Sequence, residues 1–210
     1  MNWQKLIDDA ANRIEPYIVK TPTFTTNHII ENQNIGVTGK YLGLQIYRKS
    51  CIFFGFDDDI IYPDNYVDYL ISALSKEKFK AIVGVHGLNI KIPFSSYVKD
   101  KLSYHFEGKL DKSKYVDILG SGTIAFHSNF YTPNINSWTM KNMDDLQIMR
   151  ECIEQNLQRI CISRPKNFLK GIAKSQPDSI WAKTKLNDYK ETKFIQKIIN
   201  IFPQSFFNYE

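Results

Sequence analysis

Cysteine is scarce in this chain: Cys51, Cys152 and Cys161 are the only three in 210 residues. An odd number at these separations fits neither a zinc site nor a disulfide framework, so free thiols in a reducing compartment are expected. Long apolar runs are missing too. Cys51-Ile-Phe-Phe with Phe56 close behind is among the longest, and it falls far short of the roughly 20 residues that span a bilayer. The opening residues, MNWQKLIDDAANRIEPY, place acids and amides where a secretory signal would place an apolar stretch. A soluble, cytoplasmic chain is the expectation. No internal repeat and no Gly- or Pro-rich linker divides it, which points to one domain or one domain with an appendage. A large excess of one charge is also absent. Lys and Arg total 27 against 22 acids, a net +5. A nucleic-acid binder would carry a larger and more clustered surplus, so no nucleic-acid partner is expected.

Aromatic residues, by contrast, are plentiful: 14 Phe and 12 Tyr favour a core that contains sheet. The small positive surplus is also unevenly placed. Residues 1–140 carry 15 basic and 14 acidic side chains (+1), and residues 141–210 carry 12 and 8 (+4). Arg150, Arg159, Arg164, Lys166, Lys170 and Lys174 lie in that second part. A solvated face explains such residues; an anionic glycan, a lipid-linked acceptor or an acidic membrane face are the alternatives.

Apolar periodicity orders the elements. Residues 3, 6, 7, 10, 14 and 18 make a helical stripe that Pro16 should end, and 21–34 is polar and turn-like. Cys51 to Phe56 reads as a buried strand. Pro63 suits the first turn of a helix with Tyr66, Val67, Leu70, Ile71 and Leu74 on its apolar face. Ala81–His86 and Arg159–Ser163 read as strands, and Val116–Leu119 and Thr123–Phe126 flank the turn Gly120-Ser121-Gly122. A helix opens at Asp144 or Asp145, carrying Leu146, Met149, Ile153 and Leu157, and Lys193–Phe202 closes the chain as a helix. Strands alternating with helices through some short connections predict an α/β fold with a mixed sheet.

The chemistry concentrates in Asp57-Asp58-Asp59, directly after the most apolar strand. Ligands of open α/β sheets bind beyond the carboxyl ends of strands, where these acids fall. Adjacent carboxylates repel unless a cation neutralises them, and hard oxygen ligands suit Mg²⁺ or Mn²⁺ shared with a substrate phosphate. The plainer alternative is an acidic loop that caps the following helix. Asp144 and Asp145 present the same choice, a helix start or a reacting base. The histidines are His28, His86, His105 and His127; a histidine metal ligand would come from His86 or His127, although ordinary placement is commoner for each. Trp138 and Trp181 could stack on a sugar, with core packing the usual role.

Asp57-Asp58-Asp59-Ile-Ile-Tyr-Pro63 resembles the DxD region of GT-A glycosyltransferases, most closely the family-2-like bacterial enzymes that build capsule or lipopolysaccharide. Further segments match in the same order across about residues 36–200: Val37-Thr-Gly-Lys40, Val83-Gly-Val-His-Gly87, Leu119-Gly-Ser-Gly-Thr-Ile-Ala-Phe126, Met143-Asp-Asp-Leu146, Ile162-Ser-Arg-Pro165 and Asp178-Ser-Ile-Trp181. The resemblance implies a metal-dependent transfer from a nucleotide-sugar, of the UDP-sugar type, to a glycan or lipid-linked acceptor. It implies donor contacts at Asp57, Asp58, Lys40, Gly120 and Gly122. Asp59 and Asp57 would hold Mn²⁺ or Mg²⁺ with His127 as a further ligand, and Asp145 or Asp144 would be the catalytic base. Peripheral association with the inner membrane face is compatible with it.

The pattern departs at the start. GT-A domains place a full βαβ unit before the DxD strand, and here only 56 residues precede Asp57. Residues 1–45 are therefore expected to be a separate N-terminal segment, a truncated or replaced βαβ portion, followed by a GT-A-like domain over 46–210. Ala10–Pro22 instead resembles the opening of PLP-dependent threonine/serine dehydratases, yet Tyr47-Arg-Lys-Ser-Cys51 stands where their Schiff-base lysine motif would. A PLP enzyme is not expected. A folded remnant that binds nucleotide or glycan without turnover is the alternative to an active transferase.

Overall fold

The computed structural model describes residues 36–46, 50–172 and 179–206. The expected helix and turn before residue 35, and the dehydratase-like stretch, lie outside them. The chain is mixed α/β, as the alternation of patterns predicts. A five-stranded sheet has the order β1 (Ile52–Phe54), β8 (Ile124–His127), β3 (Ala81–Gly84), β9 (Gln158–Cys161), β6 (Lys114–Tyr115). Only β3 and β9 run parallel; β8 is antiparallel to both β1 and β3, pairing Ala125 with Phe54 on one side and Val83 on the other. A three-stranded sheet of β5 (Lys101–Tyr104), β4 (Gly87–Ile90) and β7 (Ile118–Leu119) leans against it. A short pair joins β10 (Lys170–Gly171) to β2 (Ile60–Ile61).

Helices α1 (Leu42–Ile46), α2 (Tyr66–Lys76), α3 (Asp144–Glu154), α4 (Ile180–Leu186) and α5 (Tyr189–Ile201) cover these sheets. In α2 the buried residues are Tyr66, Val67, Leu70 and Leu74, the stripe expected from the sequence. Pro63 stands three residues before this helix rather than in its first turn, and its carbonyl accepts the Tyr66 N–H at 3.0 Å. In α3 Leu146, Ile148, Met149 and Cys152 are buried, while Leu157 falls beyond the helix end. The closing helix starts at Tyr189, four residues earlier than its apolar period suggests. The period missed α4 because Ile180, Trp181 and Leu186 are exposed rather than gathered on a buried stripe.

Residues 36–46 do not stand apart from the body. Tyr41 is fully buried, stacked on Phe53 at 5.2 Å and edge-on to Trp138 at 5.3 Å. The boundary expected at residue 45 therefore cuts through a packed unit. All three cysteines are buried free thiols.

Candidate active site

Three chain segments meet at one edge of the main sheet because glycines let them. Gly55 follows β1 and donates its N–H to the Ile124 carbonyl at 2.8 Å. A Cβ on it would strike the Ser121 carbonyl, so only glycine lets the Gly120-Ser121-Gly122 turn sit this close to the strand end. Gly122 in turn has its Cα against the Asp57 carboxylate, and Gly120 has its own against the His86 ring. The space beside these two glycines, expected from the resemblance to contact the donor, is occupied here by Asp57 and His86. Tyr62 fastens the same corner: its hydroxyl accepts the Asp57 N–H at 2.9 Å and donates to the Gly122 carbonyl at 2.6 Å.

Lys40 is at the centre. Its Nζ lies 3.0 Å from Asp57 Oδ1, 3.2 Å from Ser121 Oγ and 3.6 Å from Asp144 Oδ2. Burial pulls its pKa down, but the Asp144 and Asp57 carboxylates outweigh burial and hold the ammonium above its ordinary value. The segment carrying Lys40 is held near the start of α3, where the Asn142 side chain accepts the Val37 N–H at 3.4 Å.

Asp144 and Asp145 open α3 in different ways. Asp144 is buried, and its Oδ2 accepts the Tyr41 hydroxyl at 3.1 Å as well as facing Lys40. Neither serves as the helix cap: the preceding position is Met143, and no side chain caps it. Asp145 is half-buried and accepts its neighbour's N–H, from Leu146 at 2.9 Å. Desolvation first and the Asp144 charge second push its pKa up to about 7, against the opposing pull of Leu146, Lys40 and Lys101.

Lys101 completes this side, and nothing in the sequence singles it out. Its Nζ sits in the corner between two perpendicular rings, 4.1 Å from the Tyr97 ring centre and 4.0 Å from that of Trp181. Burial lowers its pKa to about 8, although Asp145 and Asp188 resist. Tyr41, Tyr62 and Ser121 escape sequence reasoning as well, although Tyr62 and Ser121 lie inside the segments that carry the resemblance.

The remaining expected residues are less closely drawn together. Asp58 is exposed. Asp59 is half-buried, with its carbonyl accepting the Ile172 N–H at 2.8 Å. His127 does not reach the acids. Strand register pairs it with Ile52, at the far end of β8 from the Ser121 turn, and its ring packs near Phe79 and Phe130. Its expected role as a metal ligand beside Asp57 and Asp59 is corrected on that ground. Strand direction, which periodicity does not reveal, decides it. His86 is at the acidic edge, but burial drives its pKa down to about 3 and its ring backs Gly120.

Among the described residues no three His, Cys, Asp or Glu side chains converge as a metal cage. One or two carboxylates shared with a diphosphate are enough for Mg²⁺ or Mn²⁺. Asp59 fits that donor set, since its carboxylate has no protein donor among the described residues, while Asp57, two residues earlier in the chain, is paired with Lys40. Compared with known protein families and with characterised proteins, the chain matches none.

Proposed function

We propose that this protein is a metal-dependent glycosyltransferase. It would move a sugar from a nucleotide-sugar, of the UDP-sugar type, to a hydroxyl of a bacterial surface glycan, on a GT-A-like scaffold. One observation carries the reading. Lys40, Asp57, Ser121 and Asp144, far apart in the chain, gather around the Lys40 ammonium at the carboxyl end of β1, and Asp145 is poised beside them as a weakly acidic carboxyl.

Asp145 is the base rather than Asp144. Lys40 and Tyr41, an ammonium and a hydroxyl, both engage Asp144 at Oδ2, whereas among the described residues Asp145 accepts only its neighbour's N–H, at Oδ1. A base with a pKa near the working pH combines a useful ionised fraction with real proton affinity. Asp145 takes the proton of the acceptor hydroxyl as its oxygen attacks the anomeric carbon, and the nucleoside diphosphate leaves from the opposite face. That is an inverting transfer. Asp144 holds Lys40 in place and keeps Asp145 basic by its charge. Lys40 and the Gly120-Ser121-Gly122 turn flank the donor. Asp59, with Asp57, would hold the divalent cation, which when bound neutralises the diphosphate as it departs.

A non-catalytic remnant that binds nucleotide is the second reading, favoured by the Lys40–Asp57 ion pair, which already neutralises one expected metal ligand. Thermal-shift titration with UDP, GDP and CMP, with and without Mn²⁺ and paired with a turnover assay, separates the two. Stabilisation that requires nucleotide and Mn²⁺ together, is lost in Asp59→Ala, and is accompanied by donor turnover supports the transferase. The same stabilisation with no turnover on any glycan acceptor supports the remnant; no stabilisation by any nucleotide overturns the transferase, and with no glycan binding either it overturns the remnant too.

A further inference from the structure

We infer that the surface formed by residues 180–201 adsorbs to an anionic phospholipid bilayer. Residues 179–206 contain five lysines, Lys183, Lys185, Lys190, Lys193 and Lys197, and all five are exposed. The same stretch has two acids, and both are turned into the body. Asp188 accepts the Ser96 hydroxyl at 2.6 Å and the Val98 N–H at 2.9 Å, and Glu191 is buried and accepts the Thr184 hydroxyl at 2.8 Å. The fully exposed charges of this stretch are therefore all positive, with Asp188 half-buried and Glu191 buried. In α5 the buried residues Glu191, Thr192, Ile195 and Ile198 define the inward face. Tyr189, Lys190, Lys193, Lys197 and Ile201 recur at helical spacing on the opposite one.

Charge alone would describe a solvated face. The apolar side chains between the lysines do not. Leu186 is 89% exposed, Tyr189 63% and Ile201 55%, with Ile180 and Trp181 also exposed. Five of the eleven exposed large apolar residues of the described chain fall in this one stretch. Lysines interleaved with exposed leucine, tyrosine and tryptophan match a headgroup layer, which offers anionic charge above apolar acyl chains. A nucleic acid would satisfy the lysines and leave Leu186 in water.

The surface also borders the proposed base. Trp181 covers Lys101, which interacts with Asp145. Adsorption would thus bring a bilayer-held acceptor to the Asp145 side of the site. That consequence rests on the proposed transfer reaction; the adsorption does not.

The test is co-sedimentation of the full chain with phosphatidylcholine vesicles, alone and with phosphatidylglycerol added, in the absence of nucleotide. Binding is expected only with phosphatidylglycerol and should weaken as salt rises. Replacing Lys190, Lys193 and Lys197 together by Gln should cut the partition coefficient roughly 100-fold. Leu186→Ser, which keeps every charge, should cut it roughly tenfold. These positions are exposed, and unchanged circular dichroism verifies that the variants fold. Equal binding to neutral vesicles, or wild-type binding by both variants, overturns the proposal. So does a patch that binds only RNA, or one that buries Leu186 in a dimer without binding vesicles. Because no nucleotide is present, failure here leaves the donor-site reading standing, and failed nucleotide titration leaves this one standing.

Discussion

Asp145 differs from an ordinary surface aspartate in one respect that can be measured. Its carboxyl is held above the normal range, so the folded state binds its proton more tightly than the unfolded chain does. The sign follows directly. This residue costs stability progressively as pH rises from its unfolded value toward about 7, and the full cost applies above that. The groups facing it are Asp144 on its own helix and Lys40 and Lys101 from two other segments, and Lys101, lowered to about 8 by burial, gives up its charge only above that window. Asp145→Asn should therefore raise the melting temperature at pH 8 and change it little at pH 4, as calorimetry at the two values would reveal. Transfer by the native protein should rise to a plateau as pH passes through about 7. The Asn variant should lose about 10²–10⁴-fold in turnover while keeping its nucleotide affinity. Equal loss of binding and turnover would mark Asp145 as a donor contact instead. The sequence narrowed the base to a pair; only burial and the partners of Asp144 separate its members.

At the scale of elements, the glycine turn sets the geometry of the acidic corner. Gly122→Ala must push the Asp57 carboxylate away from the backbone it now touches. A cost of about 1–3 kcal/mol in denaturant unfolding is expected, as for other overpacked sites, together with loss of nucleotide-dependent stabilisation. Gly43 gives the contrast. It lies within α1, and a Cβ added there would meet nothing within 4 Å, so Gly43→Ala should stabilise by about 0.5–1 kcal/mol through helix propensity and chain entropy. Most helices and buried strands were legible because their apolar period survives in the text. Tyr66 to Leu74 and Leu146 to Cys152 are examples. The strands Gly87–Ile90 and Lys101–Tyr104 were not, because the second is only partly buried and carries no clean alternation.

At the scale of the whole molecule, the segment Gly36–Ile46 joins the core to the site. Tyr41 fills the space between Phe53 and Trp138, while its neighbour Lys40 bridges Asp57 and Asp144. Tyr41→Ala should cost about 3–5 kcal/mol, and Tyr41→Phe should cost about 1–2 kcal/mol because it removes the hydroxyl that bonds Asp144 and interacts with Ser121 while keeping the ring. If nucleotide-dependent stabilisation survives Tyr41→Ala, Lys40 is not part of the donor site. No helix among the described residues is long and apolar enough to cross a membrane. By itself the sequence determined the α/β class, the acidic cluster at a strand end and the acidic start of α3, because each is written in local spacing and residue type. Tertiary structure alone decided that Lys40 meets both acidic segments and that His127 lies at the opposite end of its strand. It also placed Lys101 and Trp181 beside Asp145. Those are consequences of strand direction and of packing between segments distant in the chain, and local pattern carries neither.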